Sequence, residues 1–226
     1  MDQVNFRKCV EVSDYDPIRN GVRVHRKLKD LGVGEYLNND ELVKVARCIG
    51  RLNLPEQEED RVIRALGLTP ASASHHLAFP GGLALHSANV TEHLIDLAKA
   101  CKVEWSSPLS PFIIGLCHDL CKTEDYLFKK DPGGEFFFPK DKRRYRLEKV
   151  QREGYSHGSR SAKLAPELLG FPLTVQETLC IQFHMEAWDL NRDYTLDQLD
   201  AAIKLFPREV ILTHTADMLA SQYNER

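Results

Sequence analysis

Nowhere in the 226-residue sequence is there a run of the roughly 20 apolar residues that a membrane span needs. The opening stretch MDQVNFRKCVEVSDYDP has no apolar centre of the secretory type, so no export signal is expected. Neither sign of charge dominates. Thirty Lys+Arg stand against 33 Asp+Glu, a formal net charge of −3, which excludes a wholesale polycation and leaves room only for local basic patches. The six cysteines, at 9, 48, 101, 117, 121 and 180, lack the spacing of a disulfide framework and read as reduced thiols of a cytoplasmic protein. Internal repeats and low-complexity tracts are missing too. What remains is ordinary: 42% hydrophobic and 28% charged residues, in a length that suits one domain with at most a small appendage. Such a chain buries a substantial core without covalent staples. The feature out of proportion is histidine, with nine residues.

Helical signals dominate. Asp16-Pro17 is a cap and first-turn pair for a basic helix over Ile18 to Leu31. Asp40 is expected to cap a helix whose apolar stripe is Leu42, Val45, Ala46 and Ile49. Pro55 opens another helix through Leu66, with Gly67 as its stop. Residues 1–74 thus read as a helical lead-in without evident chemistry, and residues 75–226 as the functional domain. After Pro80-Gly81-Gly82 a long helix runs to about Cys101, with Leu83, Val90, Leu94 and Leu97 at helical spacing and His86 on the same stripe. Pro111 opens the helix PFIIGLCHDLCK, apolar until His118-Asp119. The stretch from about 125 to 148 changes character. It holds Phe136, Phe137, Phe138 and Tyr145, a turn at residues 131–134, and six basic residues from Lys129 to Arg144, and it reads as an inserted β-hairpin. A helix then starts at Ser156 or Ser159 and ends at Gly170; Thr174 and Glu177 form a capping box for one running to about Ala187. Asp197–Phe206 and Glu209–Ala220 are the last two helices.

The chemistry lies in polar residues on otherwise apolar helical faces: His86, His118, Asp119, His157, His184 and Asp217. Buried polar groups without partners cost several kcal/mol, roughly 2–7 by transfer measurements, so these side chains need one another or a ligand. With His118-Asp119 as one pair, these five segments lie about one helix and its return apart, so antiparallel helices can gather all of them at one level of a bundle. Imidazole nitrogen and carboxylate oxygen suit Mn, Fe, Mg, Ni or Zn. Four His and two Asp exceed what one tetrahedral ion takes, and two divalent ions sharing a carboxylate is the natural count.

The series H…HD…H…H…D, in the pieces PGGLALHS (80–87), GLCHDLCK (115–122), YSHGSRSA (155–162), IQFHMEAW (181–188) and LTHTADMLAS (212–221), resembles the HD superfamily of metal-dependent phosphohydrolases. The stretch HHLAFPGGLALHS is similar to the opening motif of the branch containing a bacterial 3′–5′ exoribonuclease. The hairpin followed by the HGxxS-type helix start is similar to small HD hydrolases of phages and prophages. The resemblance spans about residues 75 to 221. It implies an all-α fold, an HD-domain helical bundle with a small inserted β-hairpin. It further implies that His86, His118, Asp119 and Asp217 hold a first ion, and that Asp119 bridges to a second ion held by His157 and His184.

Around this set, Lys122 matches the HDxxK pattern and sits one helical turn after His118, placing a cation for a substrate phosphate beside the catalytic Asp119. Arg160, and with it Lys163, follows His157 at a helix start, where a cation either meets phosphate or stays a surface charge. His75 and His76 line the mouth of the site or cap it. His93 reads as core or outer support, His214 as a hydrogen-bond partner, and Cys117 and Cys121 as buried structural thiols. The basic, aromatic hairpin suits a phosphate-containing small molecule or single-stranded nucleic acid, or is simply a solvated hairpin. The expected activity is hydrolysis of a phosphate ester, of a nucleotide or oligonucleotide, by metal-activated hydroxide. An HD-type diiron oxygenase and a metal-holding nucleotide-binding module with little turnover are the alternatives.

Overall fold

The computed structural model describes residues 16–72, 75–128, 147–149, 156–185 and 196–225. Among them, helix is the main element, and the chain is predominantly α-helical. Helices α1 (Pro17–Asp30), α2 (Asn39–Arg51) and α3 (Glu56–Leu68) come first. They are followed by α4 (Gly82–Cys101), α5 (Ser110–Cys117) and the single turn α6 (Lys122–Asp125). After the strands β1 (Tyr126–Phe128) and β2 (Leu147–Lys149) come α7 (His157–Leu169), α8 (Val175–Gln182), α9 (Leu196–Leu205) and α10 (Pro207–Leu219). A π-helical turn, Ala220–Asn224, continues from α10. The two strands pair antiparallel, Tyr126 opposite Lys149 and Phe128 opposite Leu147. The aromatic and basic segment expected as a hairpin between them lies outside the described residues. No helix among the described residues is long and apolar enough to cross a membrane.

Local chemistry explains most of the helix starts. Asp16 accepts hydrogen bonds from the N–H groups of Ile18 and Arg19, with Pro17 in the first turn. Asn38, not the expected Asp40, caps α2: its side chain takes the N–H groups of Asp40 and Glu41, and Glu41 reaches back to the Asn38 N–H. Asp40 is displaced into the first turn, where its charge still favours the helix N-terminus. Gly67 does not stop α3, which continues to Leu68. It serves packing instead, since a Cβ there would come within 3.0 Å of Leu31.

The lead-in is not separately cored. Leu28, Leu42, Ile49 and Leu66 belong to the same buried cluster as Leu83, Leu94, Ile114 and Leu169. At its centre is α4, buried through most of its first three turns, with α2, α3, α5 and α10 packed around it. Gly115 lets α5 lie close on α4, because a Cβ would fall 2.2 Å from Thr91 Oγ1. Gly158 does the same for α7 against the end of α8, where a Cβ would meet the Gln182 carbonyl oxygen at 2.0 Å. The starts of α5 and α8 are tied by a buried bond, Ser110 Oγ to Glu177 Oε1 at 2.8 Å, and the other Glu177 oxygen accepts the Thr174 N–H.

Candidate metal centre

Two expected helices end early, and this shapes the site. The sequence places His118 inside a helix, but α5 stops at Cys117 and His118 is its C-cap. The backbone beyond falls into tight i→i−3 bonds, Leu120 to Cys117 and Lys122 to Asp119. Likewise α8 ends at Gln182 rather than near Ala187, so His184 follows the helix. In both places the imidazole folds back on the helix end. His118 Nδ1 donates to the Gly115 carbonyl at 2.9 Å, and His184 Nδ1 donates to the Ile181 carbonyl at 2.7 Å. A neutral imidazole that donates from Nδ1 has a lone pair on Nε2. Both lone pairs face the same buried centre, toward which the negative ends of α5 and α8 also point.

Three helices and two helix ends bring the expected residues together. His86 from α4 sets its Nε2 3.1 Å from His118 Nε2 and 3.2 Å from Asp217 Oδ1 of α10. Asp119 lies between two groups of rings. Its Oδ2 is 3.4 Å from His118 Nε2 and 3.5 Å from His86 Nε2. Its Oδ1 bonds His157 Nε2, from the start of α7, and is 3.6 Å from His184 Nε2. All six expected ligand residues therefore meet. Donor atoms of His86, His118 and Asp119, of His118, His184 and Asp217, and of Asp119, His157 and His184 each lie within 4.8 Å of one another.

Electrostatics fit a cation. Asp119 is 3% exposed, and buried carboxylates need compensation. Burial pushes its pKa up, but Lys122, His118 and His157 outweigh burial and hold it well below the usual carboxylate range. Asp217 is likewise held low: burial opposes its charge, and His86 outweighs burial. Burial also disfavours a charged His86, yet Asp119, Asp217 and Glu225 together hold its pKa well above the ordinary value. For His157, Cys121 and Asp119 overcome burial and push the pKa up to about 10. His118 goes the other way, lowered chiefly by burial, and so keeps its Nε2 lone pair. His184 Nε2 is buried without a hydrogen-bond partner. An orphaned imidazole nitrogen aimed at a carboxylate, among lone pairs fixed by backbone carbonyls, is a donor set for which a metal ion is the missing partner. These buried His and carboxylate groups are able to hold one.

Around the centre, Lys122 lies beside Asp119, its ammonium paired with Asp119 Oδ2. Arg160, expected near a substrate phosphate, is held by Asp125 Oδ1 at 2.7 Å, Glu124 Oε2 at 3.2 Å and the Cys121 carbonyl at 3.3 Å. The His76 ring lies at 46° to the His86 ring with 5.3 Å between centroids, at the edge of the centre, whereas His75 is exposed and its backbone N–H donates to Ser72 Oγ. His93 bonds Asn224 at 2.7 Å, and His214 Nδ1 donates to the His184 carbonyl at 2.8 Å. Cys117 and Cys121 are buried, and Cys121 Sγ lies 3.0 Å from His157 Nδ1. One residue has no counterpart in the sequence reading. Glu225 places both carboxylate oxygens 3.1 Å from His86 Nδ1. It lies in the polar stretch Ser221–Arg226, where no apolar face makes a carboxylate stand out.

No protein-family model, curated protein or solved structure matches the chain.

Proposed function

We propose that the chain is a metal-dependent phosphohydrolase of the HD type, acting on a phosphate ester of a nucleotide or oligonucleotide with two divalent ions. One observation carries this reading. The two oxygens of Asp119 divide between two sets of imidazoles, Oδ2 toward His86 and His118, Oδ1 toward His157 and His184. A carboxylate so divided could serve two ions, and Asp217 would complete the first set of groups. When bound, divalent ions at such a centre supply Lewis acidity toward a phosphoryl oxygen and acidify water to a pKa of about 7.

The chain's own groups account for the rest. Asp119 orients the attacking oxygen, and no protein nucleophile is required. Lys122 keeps Asp119 ionised and sets a positive charge beside it, where a substrate phosphate oxygen is stabilised. His157 is the most open ligand, its side chain 25% exposed against at most 1% for His86, His118 and His184, so substrate approaches from its side. His76 borders the same centre.

The test is hydrolysis by protein loaded with Mn²⁺ or Fe²⁺, against nucleotides, short single-stranded oligonucleotides and a generic phosphodiester. Turnover that disappears in Asp119→Ala, with the helical circular dichroism intact, supports the reading. Metal bound in stoichiometric amount with every phosphate ester left uncut overturns it. An O₂-dependent spectral change on iron loading without hydrolysis assigns the centre to diiron chemistry, and tight nucleotide binding without turnover assigns it to a binding module.

A further inference from the structure

The lead-in helices and the end of the chain meet at His86. Lys44 of α2 donates to Asn89 Oδ1 at 2.9 Å and pairs with Glu92 at 2.8 Å. Asn89, one turn after His86 on α4, donates through Nδ2 to Glu225 Oε1 at 2.9 Å. Glu225 in turn accepts from His86 Nδ1 at 3.1 Å, and its side chain is fully enclosed. Three elements far apart in the sequence thus form one hydrogen-bonded line that ends on the nitrogen opposite the ligand nitrogen of His86. His118 and His184 use backbone carbonyls for that purpose, so His86 is the ring among these three whose support is a charged side chain.

Building on the metal-centre reading above, we propose that Glu225 is the positioning residue of His86. Held by Asn89 and Lys44, it fixes the ring orientation and raises the electron density on Nε2, so that the lead-in helix α2 helps set the affinity of the first ion. An outer carboxylate on a ligand imidazole is a strong lever, and its loss costs about 10–100-fold in metal affinity. Asn89 satisfies one carboxylate oxygen and prevents Glu225 from swinging into the centre as a ligand itself. Lys44 holds Asn89 by its oxygen and so fixes which way the amide faces.

The experiment titrates metal-free full-length protein with Co²⁺, reading both the dissociation constant and the visible ligand-field spectrum. Glu225→Gln is expected to weaken the tighter binding step about 10–100-fold and to shift the spectrum, while the metal-free variant keeps the helical circular dichroism of the parent. Glu225→Asp, which keeps the charge but retracts it, is expected to recover part of the affinity. Lys44→Met is expected to weaken binding a few-fold. Equal affinity and an identical spectrum in Glu225→Gln overturn the positioning role, with the metal centre itself intact. Failure of the parent protein to bind Co²⁺ instead overturns the centre. If Glu225→Gln does not fold, the decision passes to Glu225→Asp and Lys44→Met: parental affinity in both overturns the proposal.

Discussion

The two halves of the centre are built to different standards. On the side of His86, His118 and Asp217, three donors are buried to 15% exposure or less, and the two rings are faced by the carboxylates of Asp119 and Asp217. Glu225 and the Gly115 carbonyl brace the two rings from behind. On the side of His157 and His184, Asp119 Oδ1 is the carboxylate oxygen within 4 Å of both rings, with Asp217 near His184 and Asp125 near His157 farther off, and the Cys121 thiol lies 3.0 Å from His157 Nδ1. A thiol is a weak hydrogen-bond partner and orients a ring less firmly. On the proposed function, two close carboxylates and firmer braces would make the first half the tighter ion site, and the more open second half would be the exchangeable position on the substrate side.

This comparison breaks most visibly at Asp119, which belongs to both halves. Asp119→Ala is expected to reduce bound metal from two ions to none and to remove hydrolysis, measured by elemental analysis and a phosphate-release assay. His157→Ala and His184→Ala should separate the halves, each retaining one ion after dialysis, whereas His118→Ala is expected to lose the tight ion. Loss of both ions from His184→Ala shows that the halves do not differ in strength. Gly115→Ala probes the approach of α4 and α5 that brings His86 to His118. It is expected to destabilise the protein by about 1–3 kcal/mol in urea unfolding, because Thr91 backbone cannot retreat from the new methyl.

Protons give a further test. His157 has its folded pKa raised to about 10, above its ordinary value near 6.5. The group therefore contributes stability that is fully present below about 6.5 and is lost as pH rises through about 10. Metal-free protein should melt at progressively lower temperature over that window. Metal-loaded protein should show a flatter profile, because an ion replaces the proton. A metal-free melting temperature that rises over the same window excludes this electrostatic account of His157. Least of all, Cys121→Ser is expected to change metal affinity only a few-fold, and only for the weaker step of the titration.

The sequence exposes the ligands better than their supports. His118-Asp119 interrupts an apolar run, and His86 lies on an apolar stripe, so burial and polarity conflict visibly at those positions. Glu225 has no such contrast, sitting among Ser221, Gln222, Tyr223 and Asn224. The helix ends at Cys117 and Gln182 were equally hidden. Each is set by an imidazole taking a carbonyl three residues back, a contact that helical periodicity does not encode. Arg160 looked free for phosphate because Glu124 and Asp125 lie more than 30 residues before it, and only the turn of α6 against α7 joins them. The lead-in looked inert for a similar reason, since Lys44 reaches Asn89 only across the helix interface.

The tie between Ser110 and Glu177 sits at the opposite ends of α5 and α8 from the rings of His118 and His184, whose centroids are 5.0 Å apart. The two helices are therefore joined at their starts by a buried bond and brought together again at their ends by the two rings, so a change at Ser110 or Glu177 bears on the ring spacing from the far end of the pair.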